Sequence, residues 1–315
     1  MASQERTVPA EYLPILVTGA SGQLAALVIK ELLERGVPPS ELILTTRTPE
    51  KLSHLSAMGA QVRFADHDQP DTLPAAFAGA RRFLLISGPP EAFLAGIRVK
   101  QHEAAINAAA AGGAEHLFYT SAPHVAPDTL ADAHIDHWES EQMVKQSGMK
   151  WTILRHWEWP DWHLEHHWRP AVDHGTFYAG QADGRISHVT REDTAAADAG
   201  ALLSDDVEGH VFDITGPQAL TAADIVAALR QASGKDIDLV QLEPQEQIGK
   251  LREAGGHPDT APVFAGIAAA IRNGKYDGVS DDPEKLSGRR RKTIAEWLES
   301  KLPEVLSRPA PPPWN

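Results

Sequence analysis

The sequence of 315 residues contains no cysteine, which excludes disulfides, thiolate nucleophiles and Cys-ligated zinc. No apolar run approaches the roughly 20 residues needed to cross a bilayer as a helix. The opening MASQERT has neither a basic n-region nor an apolar h-region, so no secretory leader is expected. Cations are scarce as well: 29 Lys and Arg stand against 43 Asp and Glu, a net charge of −14. That excess repels nucleic acid and anionic lipid at long range. The expectation is a cytoplasmic protein that handles a small molecule, as a monomer or homodimer, with no nucleic-acid or membrane partner.

What is present is concentrated between Pro14 and Arg47. Ile15-Leu16-Val17 is a short apolar run suited to a strand buried on both faces. Gly19, Ala20, Ser21, Gly22, Gln23 and Leu24 follow, then Leu24, Leu27, Val28 and Leu32 fall on one helical face. Gly36 stops that helix, and Leu42-Ile43-Leu44 supplies a second buried strand. Strand, glycine turn, helix and strand make a βαβ unit. Gly19 permits a backbone conformation that a side chain would obstruct, and Gly22 lets the chain approach a ligand closely. The helix start then offers unpaired N–H groups and its positive dipole end to a diphosphate. The spacing is G-x-x-G-x-x-A, with Ala25 in place of a third glycine, so the strict G-x-G-x-x-G fingerprint is absent. After the second strand comes Thr45-Thr46-Arg47-Thr48-Pro49, with no carboxylate until Glu50. A guanidinium among hydroxyls suits a ribose 2′-phosphate better than a 2′-hydroxyl, which points to NADPH.

Strands are expected at Val62–Ala65, Arg82–Ile86, Leu117–Ser121 and Trp151–Leu154, with helices over Pro49–Gly59, Gln69–Gly79, Glu91–Ala111 and Thr129–Ser147. That alternation predicts an α/β fold: a Rossmann-type, doubly wound parallel sheet with helices on both faces. Ligand then belongs at the carboxyl ends of the strands, which carry Gly19, Arg47, Asp66, Ser87, Gly88, Ser121, Arg155 and His156. Asp66 is expected near the adenine. Ser121 is a candidate partner for a substrate oxygen or for the nicotinamide carboxamide, or a serine satisfied by backbone. The organisation expected is a nucleotide-binding domain over 1–155, to which later segments return, and a smaller mixed substrate-binding part over 156–315. In the latter, helices are expected at Thr190–Leu203, Thr221–Ala232, Val263–Asn273 and Lys292–Lys301, a strand at His210–Thr215, and a stiff extended tail at Pro309–Pro313.

The segment 156–168, HWEWPDWHLEHHW, holds four histidines and four of the eight tryptophans. Trp157, Trp159 and Trp162 are suited to stacking on a flat aromatic ring. His163 and His167 have the i, i+4 spacing of helix-borne zinc ligands, but the H-E-x-x-H order is missing, so no metal is expected.

TGASGQLAALVIKELLERG, the TRTPEKL after the second strand, the LLISG that ends the fourth and SHVTREDTAAADAGALL at 187–203 together resemble the NmrA-like atypical short-chain dehydrogenases, nearest to their QorB-type quinone oxidoreductase and triphenylmethane reductase branches. The resemblance covers roughly Pro14 to Lys301. It implies a Rossmann domain holding NADPH and a smaller domain that closes over substrate, with Gly19 to Leu24, Arg47, Ser87-Gly88 and Arg155 to Glu158 against the coenzyme. His156-Trp157 departs from the small Asn-Gly or Asn-Ala pair of those relatives. Classical short-chain dehydrogenases use a Tyr-x-x-x-Lys pair to move a proton; none of the four tyrosines here has a lysine four residues on. Two chemistries remain. In the first, hydride passes directly to a quinone, carbonyl or related aromatic electrophile that needs no enzymic acid. Alternatively His137, oriented by Glu141 one helical turn on, acts as proton donor, with Ser121 and Tyr119 beside the nicotinamide; an ordinary helix histidine paired with a carboxylate fits the same spacing. Outside enzymes, the resemblance also admits a dinucleotide-sensing regulator that binds a protein partner without turnover.

Overall fold

A computed structural model describes residues 8–88, 92, 96–127, 135–253 and 260–309. The chain divides into two compact units, the first made of Met1–His156, Arg191–Ile214 and Asp282–Arg289, the second of Trp157–Thr190, Thr215–Asp281 and Arg290–Asn315.

The first unit is built on a seven-stranded parallel sheet. Its strands are β1 (Ile15–Val17), β2 (Leu42–Thr46), β3 (Gln61–Phe64), β4 (Arg82–Leu85), β5 (His116–Ser121), β6 (Lys150–His156) and, arriving late in the chain, His210–Ile214. The order runs β3-β2-β1-β4-β5-β6 and then His210–Ile214. Its direction reverses between β1 and β4, so the crevice outside their carboxyl ends is the natural ligand position of an open α/β sheet. β1, β2, β4 and β5 are buried along their whole length, which is why they read as unbroken apolar runs instead of alternating ones.

Helix α1 (Gln23–Glu34) buries Leu24, Ala25, Val28, Ile29 and Leu32, the face that its periodicity predicts. The helix Arg191–Leu202 is buried at every position from Asp193 on. Its alanines allow two neighbours to come close, α1 on one side and the short helix Asp282–Ser287 on the other. Arg35 ties all three together, with Nη2 donating to the carbonyls of Ala196 (3.2 Å) and Ser287 (3.0 Å).

The long helix expected from Glu91 is described only from Arg98, to Ala111. Gly96 precedes it at φ +67°, left-handed backbone that a continuous helix does not use. Residues 89–91 and 93–95 lie outside the described residues, as do 128–134 at the start of the helix expected over 129–147, which is described as Ile135–Gln146. Of the expected tail, all beyond Pro309 lies outside them too.

In the second unit, Thr176–Ala179 pairs in parallel with Asp238–Gln241. Neither strand was legible in the sequence; both are short, and Asp238–Gln241 is mostly exposed. Helices Ala222–Ser233 and Ile294–Ser307 start at complete capping boxes, Thr221 with Asp224 and Thr293 with Glu296. The His/Trp segment is helical, with Pro160–His163, a π turn at Leu164–Trp168 and Arg169–His174 in succession. Trp168, Phe177, Phe264 and Trp297 are among the large side chains of this unit's core.

Gly200 separates two competing effects. A helix-interior glycine replaced by alanine gains about 1 kcal/mol from propensity alone, but a Cβ there would run into the carbonyl oxygen of Leu286. Overpacking of that kind costs about 1–3 kcal/mol or more. Gly200→Ala is therefore expected to lower the unfolding midpoint in urea; a raised midpoint would show that Asp282–Ser287 gives way freely.

Candidate active site

At the carboxyl end of β1 the chain turns through Gly19 at φ +58°, a conformation that favours glycine. A Cβ at Gly22 would lie 3.0 Å from the Gly19 carbonyl oxygen, where the Gly22 N–H already donates at 2.8 Å. Gly22 is also the N-cap of α1, and no side chain caps that helix. Its first-turn N–H groups have no intrahelical partner and face out with the positive end of the dipole. An uncapped, glycine-tight helix start at the reversal of strand order has the donor chemistry a diphosphate needs, so the residues present fit a dinucleotide.

Around it the polar groups are arranged by neighbouring strand ends. The Ser21 and Thr46 hydroxyls are 2.8 Å apart, and Thr48 lies 3.3 Å from each. Arg47, between those two threonines, is exposed and makes no hydrogen bond or ion pair among the described residues, so its guanidinium is available. Asp66 is turned to its own loop instead: Oδ1 accepts from the Asp68 amide (3.1 Å) and Oδ2 from Gln69 Nε2 (2.9 Å). Beyond β4, the Ile86 amide donates to Thr18 Oγ1 (2.9 Å), the Ser87 amide to Thr120 Oγ1 (2.8 Å) and the Gly88 amide to His102 Nε2 (3.4 Å).

Two polar networks sit against β5. In one, Glu141 is fully buried and accepts from Ser121 Oγ (2.7 Å), Arg155 Nε (2.9 Å) and Arg155 Nη2 (2.9 Å), with Lys145 Nζ at 3.6 Å. A carboxylate without solvent is tolerable because these donors replace its water. In the other, Arg98 Nη1 donates to His137 Nε2 (3.0 Å), and His137 Nδ1 lies 2.8 Å from the Tyr119 hydroxyl. Arginine has no lone pair to offer, so His137 Nε2 must be bare; the proton is on Nδ1 and donates to Tyr119. Arg98 also faces Asp136 at 3.4 Å. His102 Nδ1 meets Ser140 Oγ at 2.7 Å, and that hydroxyl donates to the Asp136 carbonyl at 2.6 Å.

This geometry departs from the expected roles in specific ways. Glu141 does not orient His137. Tyr119 and Ser121 share one face of β5, and each takes one of the two helix side chains, His137 going to Tyr119 and Glu141 to Ser121. Tyr119 is itself 0% exposed, and burial pushes its phenol above the usual range; it reaches the site only through other residues. His156 is buried and bonded to Asp198 Oδ1 at 2.8 Å. Arg98, His102, Ser140, Thr18 and Thr120 were missed. The signal available for them was a polar side chain on a helix face or strand end otherwise filled by Ala, Ile, Leu and Phe.

In the second unit, Trp157 is buried edge-on to Tyr276, with ring centroids 6.2 Å apart, and a Cβ at Gly278 would come within 2.8 Å of its ring. Trp162 stacks on Phe264 at 4.2 Å; it and Trp159 are half-buried. His163 and His188 lie with their rings 4.8 Å apart, and both line, with His167, Gln181 and Gln247, a cavity of about 20 Å³. No group of three or more metal-ligating side chains is poised for an ion among the described residues, and no helix there is long and apolar enough to cross a membrane.

Residues 19–205 match the sequence model of a family described as NAD(P)H-binding. The chain is 35% identical over 288 residues to quinone oxidoreductase 2 of Escherichia coli strain K12, covering 90% of this chain and 96% of that protein. Among solved structures, the NADPH-dependent quinone oxidoreductase QOR2 of Escherichia coli complexed with NADPH superposes with a TM-score of 0.84 at 32% identity, over 91% of this chain and 99% of that one. The triphenylmethane reductase of Citrobacter sp. complexed with NADP(H) gives 0.81 at 29% identity, over 91% and 99%.

Burial holds the imidazoles of His102, His163, His167 and His188 down to about 3, and that of His116 to about 4, outweighing the nearby carboxylates of Glu158 at His188 and Glu208 at His116. Unfolded, each titrates near 6.5, so below that pH the unfolded chain binds more protons and stability falls as pH falls. At pH 5 each contributes a loss of about 2 kcal/mol. Urea midpoints at pH 7, 6 and 5 are expected to drop steeply; equal midpoints at all three would show that these rings are not neutral and buried.

Proposed function

The chain belongs to the NAD(P)H-binding family, in its NmrA-like, quinone-reductase-type group, and from that premise we propose that it is an NADPH-dependent oxidoreductase acting on flat aromatic electrophiles, quinones first among them. The observation that carries this is the uncapped start of α1 at Gly22, closed by Gly19 and flanked by the Ser21, Thr46 and Thr48 hydroxyls with Arg47 unpaired beside them. The amides of Gly19, Ser21, Gln23 and Leu24 would hold the diphosphate, those of Ala20 and Gly22 being committed to the Thr45 and Gly19 carbonyls, and Arg47 with the hydroxyls would take the 2′-phosphate. Consumption of NADPH argues for work in the cytoplasm, where that coenzyme is regenerated.

When bound, the reduced nicotinamide supplies hydride to the electrophile. The chain's own residues bind and orient. Ser121 commits its hydrogen to Glu141, so it meets a ligand as an acceptor and suits the carboxamide amino group better than a substrate oxygen. Glu141 in turn holds Arg155 as a fixed cation at the end of β6. His137 has both ring nitrogens engaged, with Arg98 and Tyr119, and is not poised to give up a proton. A quinone accommodates this, since its reduced form spreads charge and is protonated by solvent. In the second unit the half-buried Trp159 is an aromatic side chain suited to a flat ring, whereas Trp162 already stacks on Phe264 and Trp157 is buried.

The test is loss of the reduced nicotinamide absorbance with a panel of quinones, aromatic carbonyls and cationic dyes. Turnover is expected; tight binding with no consumption for any acceptor would favour a sensor instead. Arg47→Ala is expected to raise the KM for NADPH roughly 10- to 100-fold, the loss of a charge-assisted phosphate contact, while NADH changes little; an equal effect on both coenzymes would remove Arg47 from the phosphate. For His137→Gln, kcat is expected to keep the wild-type pH profile, whereas loss of a limb near neutral pH would restore His137 as the acid.

A further inference from the structure

Backbone donors at the carboxyl edge of the sheet have two contrasting fates. Those that open α1 are left for a ligand, but the three successive amides of residues 86, 87 and 88 are each taken by a side chain from another element: Thr18 after β1, Thr120 in β5 and His102 in the helix Arg98–Ala111. No described residue donates to the carbonyl oxygens of Ile86, Ser87 or Gly88. The loop's backbone therefore has only acceptors to show a ligand, while the Ser87 hydroxyl, accepting from Thr120 Oγ1 at 3.2 Å, keeps its hydrogen; the loop lies after β4, beside the strand-order reversal.

We infer that His102 is a positioning residue for the coenzyme site: it fixes the 86–88 loop through the Gly88 amide, so that the loop meets the nucleotide with carbonyl oxygens, as acceptor for a ribose hydroxyl or the carboxamide. The inference rests on the NADPH reading. Its chemistry is set by a tautomer. Gly88 N–H needs a bare Nε2, so the proton must be on Nδ1; there it donates to Ser140 Oγ, whose own hydrogen goes to the Asp136 carbonyl. Ser140 is 0% exposed, as is His102, so no water competes for either bond. The flipped tautomer would set an N–H against an N–H at Gly88, and the Nδ1 it bares would face the committed Ser140 hydroxyl with only the Tyr119 hydroxyl, at the long distance of 3.5 Å, left to donate to it. His102 thus acts on the ligand only through the backbone it holds.

Glutamine and methionine at position 102 have the same length, but only glutamine brings a strong acceptor. On the full chain, two quantities decide: NADPH affinity by quenching of tryptophan fluorescence, and exchange of the Gly88 amide hydrogen by NMR without nucleotide. His102→Gln is expected to stay within about threefold of wild type and to keep slow exchange. His102→Met is expected to weaken NADPH about tenfold, the worth of one lost hydrogen bond, and to expose the Gly88 amide to exchange, with the KM for the electrophile unchanged. Met binding as tightly as wild type, or Gln and Met failing equally, would overturn the inference, the second because shape alone would then matter. Should the Met variant not fold, His102→Asn, one carbon too short to reach Gly88, is expected to lose affinity in its place, and wild-type affinity there overturns the role equally. Wild-type protein that bound no nicotinamide nucleotide would sink the coenzyme reading, while Gly88 exchange would still judge what His102 does.

Discussion

The N–H groups at the start of α1 are the constraint on which the rest of the first unit depends. A helix start this near a sheet core is normally closed by a serine, threonine or aspartate. Here the cap is Gly22, and the neighbouring Ser21 hydroxyl is turned to Thr46. The unsatisfied donors are left for a ligand, and the buried ends of β1, β2 and β4 hold them in place. The turn admits no side chain at Gly22, the hydroxyls crowd around the same opening, and the loop after β4, whose backbone amides are all taken, completes a surface whose backbone donors and acceptors are sorted by strand.

Burial of ionisable groups follows two different rules in this molecule. Glu141 is sealed from water as an ion, with Ser121 and Arg155 as compensation. The histidines are sealed as neutral rings, one nitrogen of His102 and of His137 fixed by a group that can only donate, the Gly88 amide and Arg98, and the other turned to a hydroxyl. The first arrangement places a charge; the second places a direction. Neither supplies a mobile proton, which agrees with an acceptor that demands none.

The βαβ start was legible because strand, glycine turn and amphipathic helix each obey a local rule, and Arg47 because its position after the second strand has a chemical meaning. The site around β5 was less so. His137 and Glu141 lie one turn apart, which invites pairing, yet Tyr119 and Ser121 on the strand below divide them, and only tertiary packing decides that. Asp66 was read as a ligand group, but Asp68 and Gln69 occupy its oxygens, a turn that local sequence could have suggested. The short strands Thr176–Ala179 and Asp238–Gln241 carry too few residues to establish a period.

The sheet of the first unit closes late. Its seventh strand, His210–Ile214, pairs with β6 only after the intervening segment has been made, and the helix against Gly200 comes later still, at Asp282–Ser287. During synthesis β6 therefore waits with an open edge, and a bare parallel edge is a template for pairing with other chains. Translation that stalls before residue 210 leaves a nascent chain with that adhesive edge exposed, and the molecule relies on prompt completion or on a chaperone to pass through that interval.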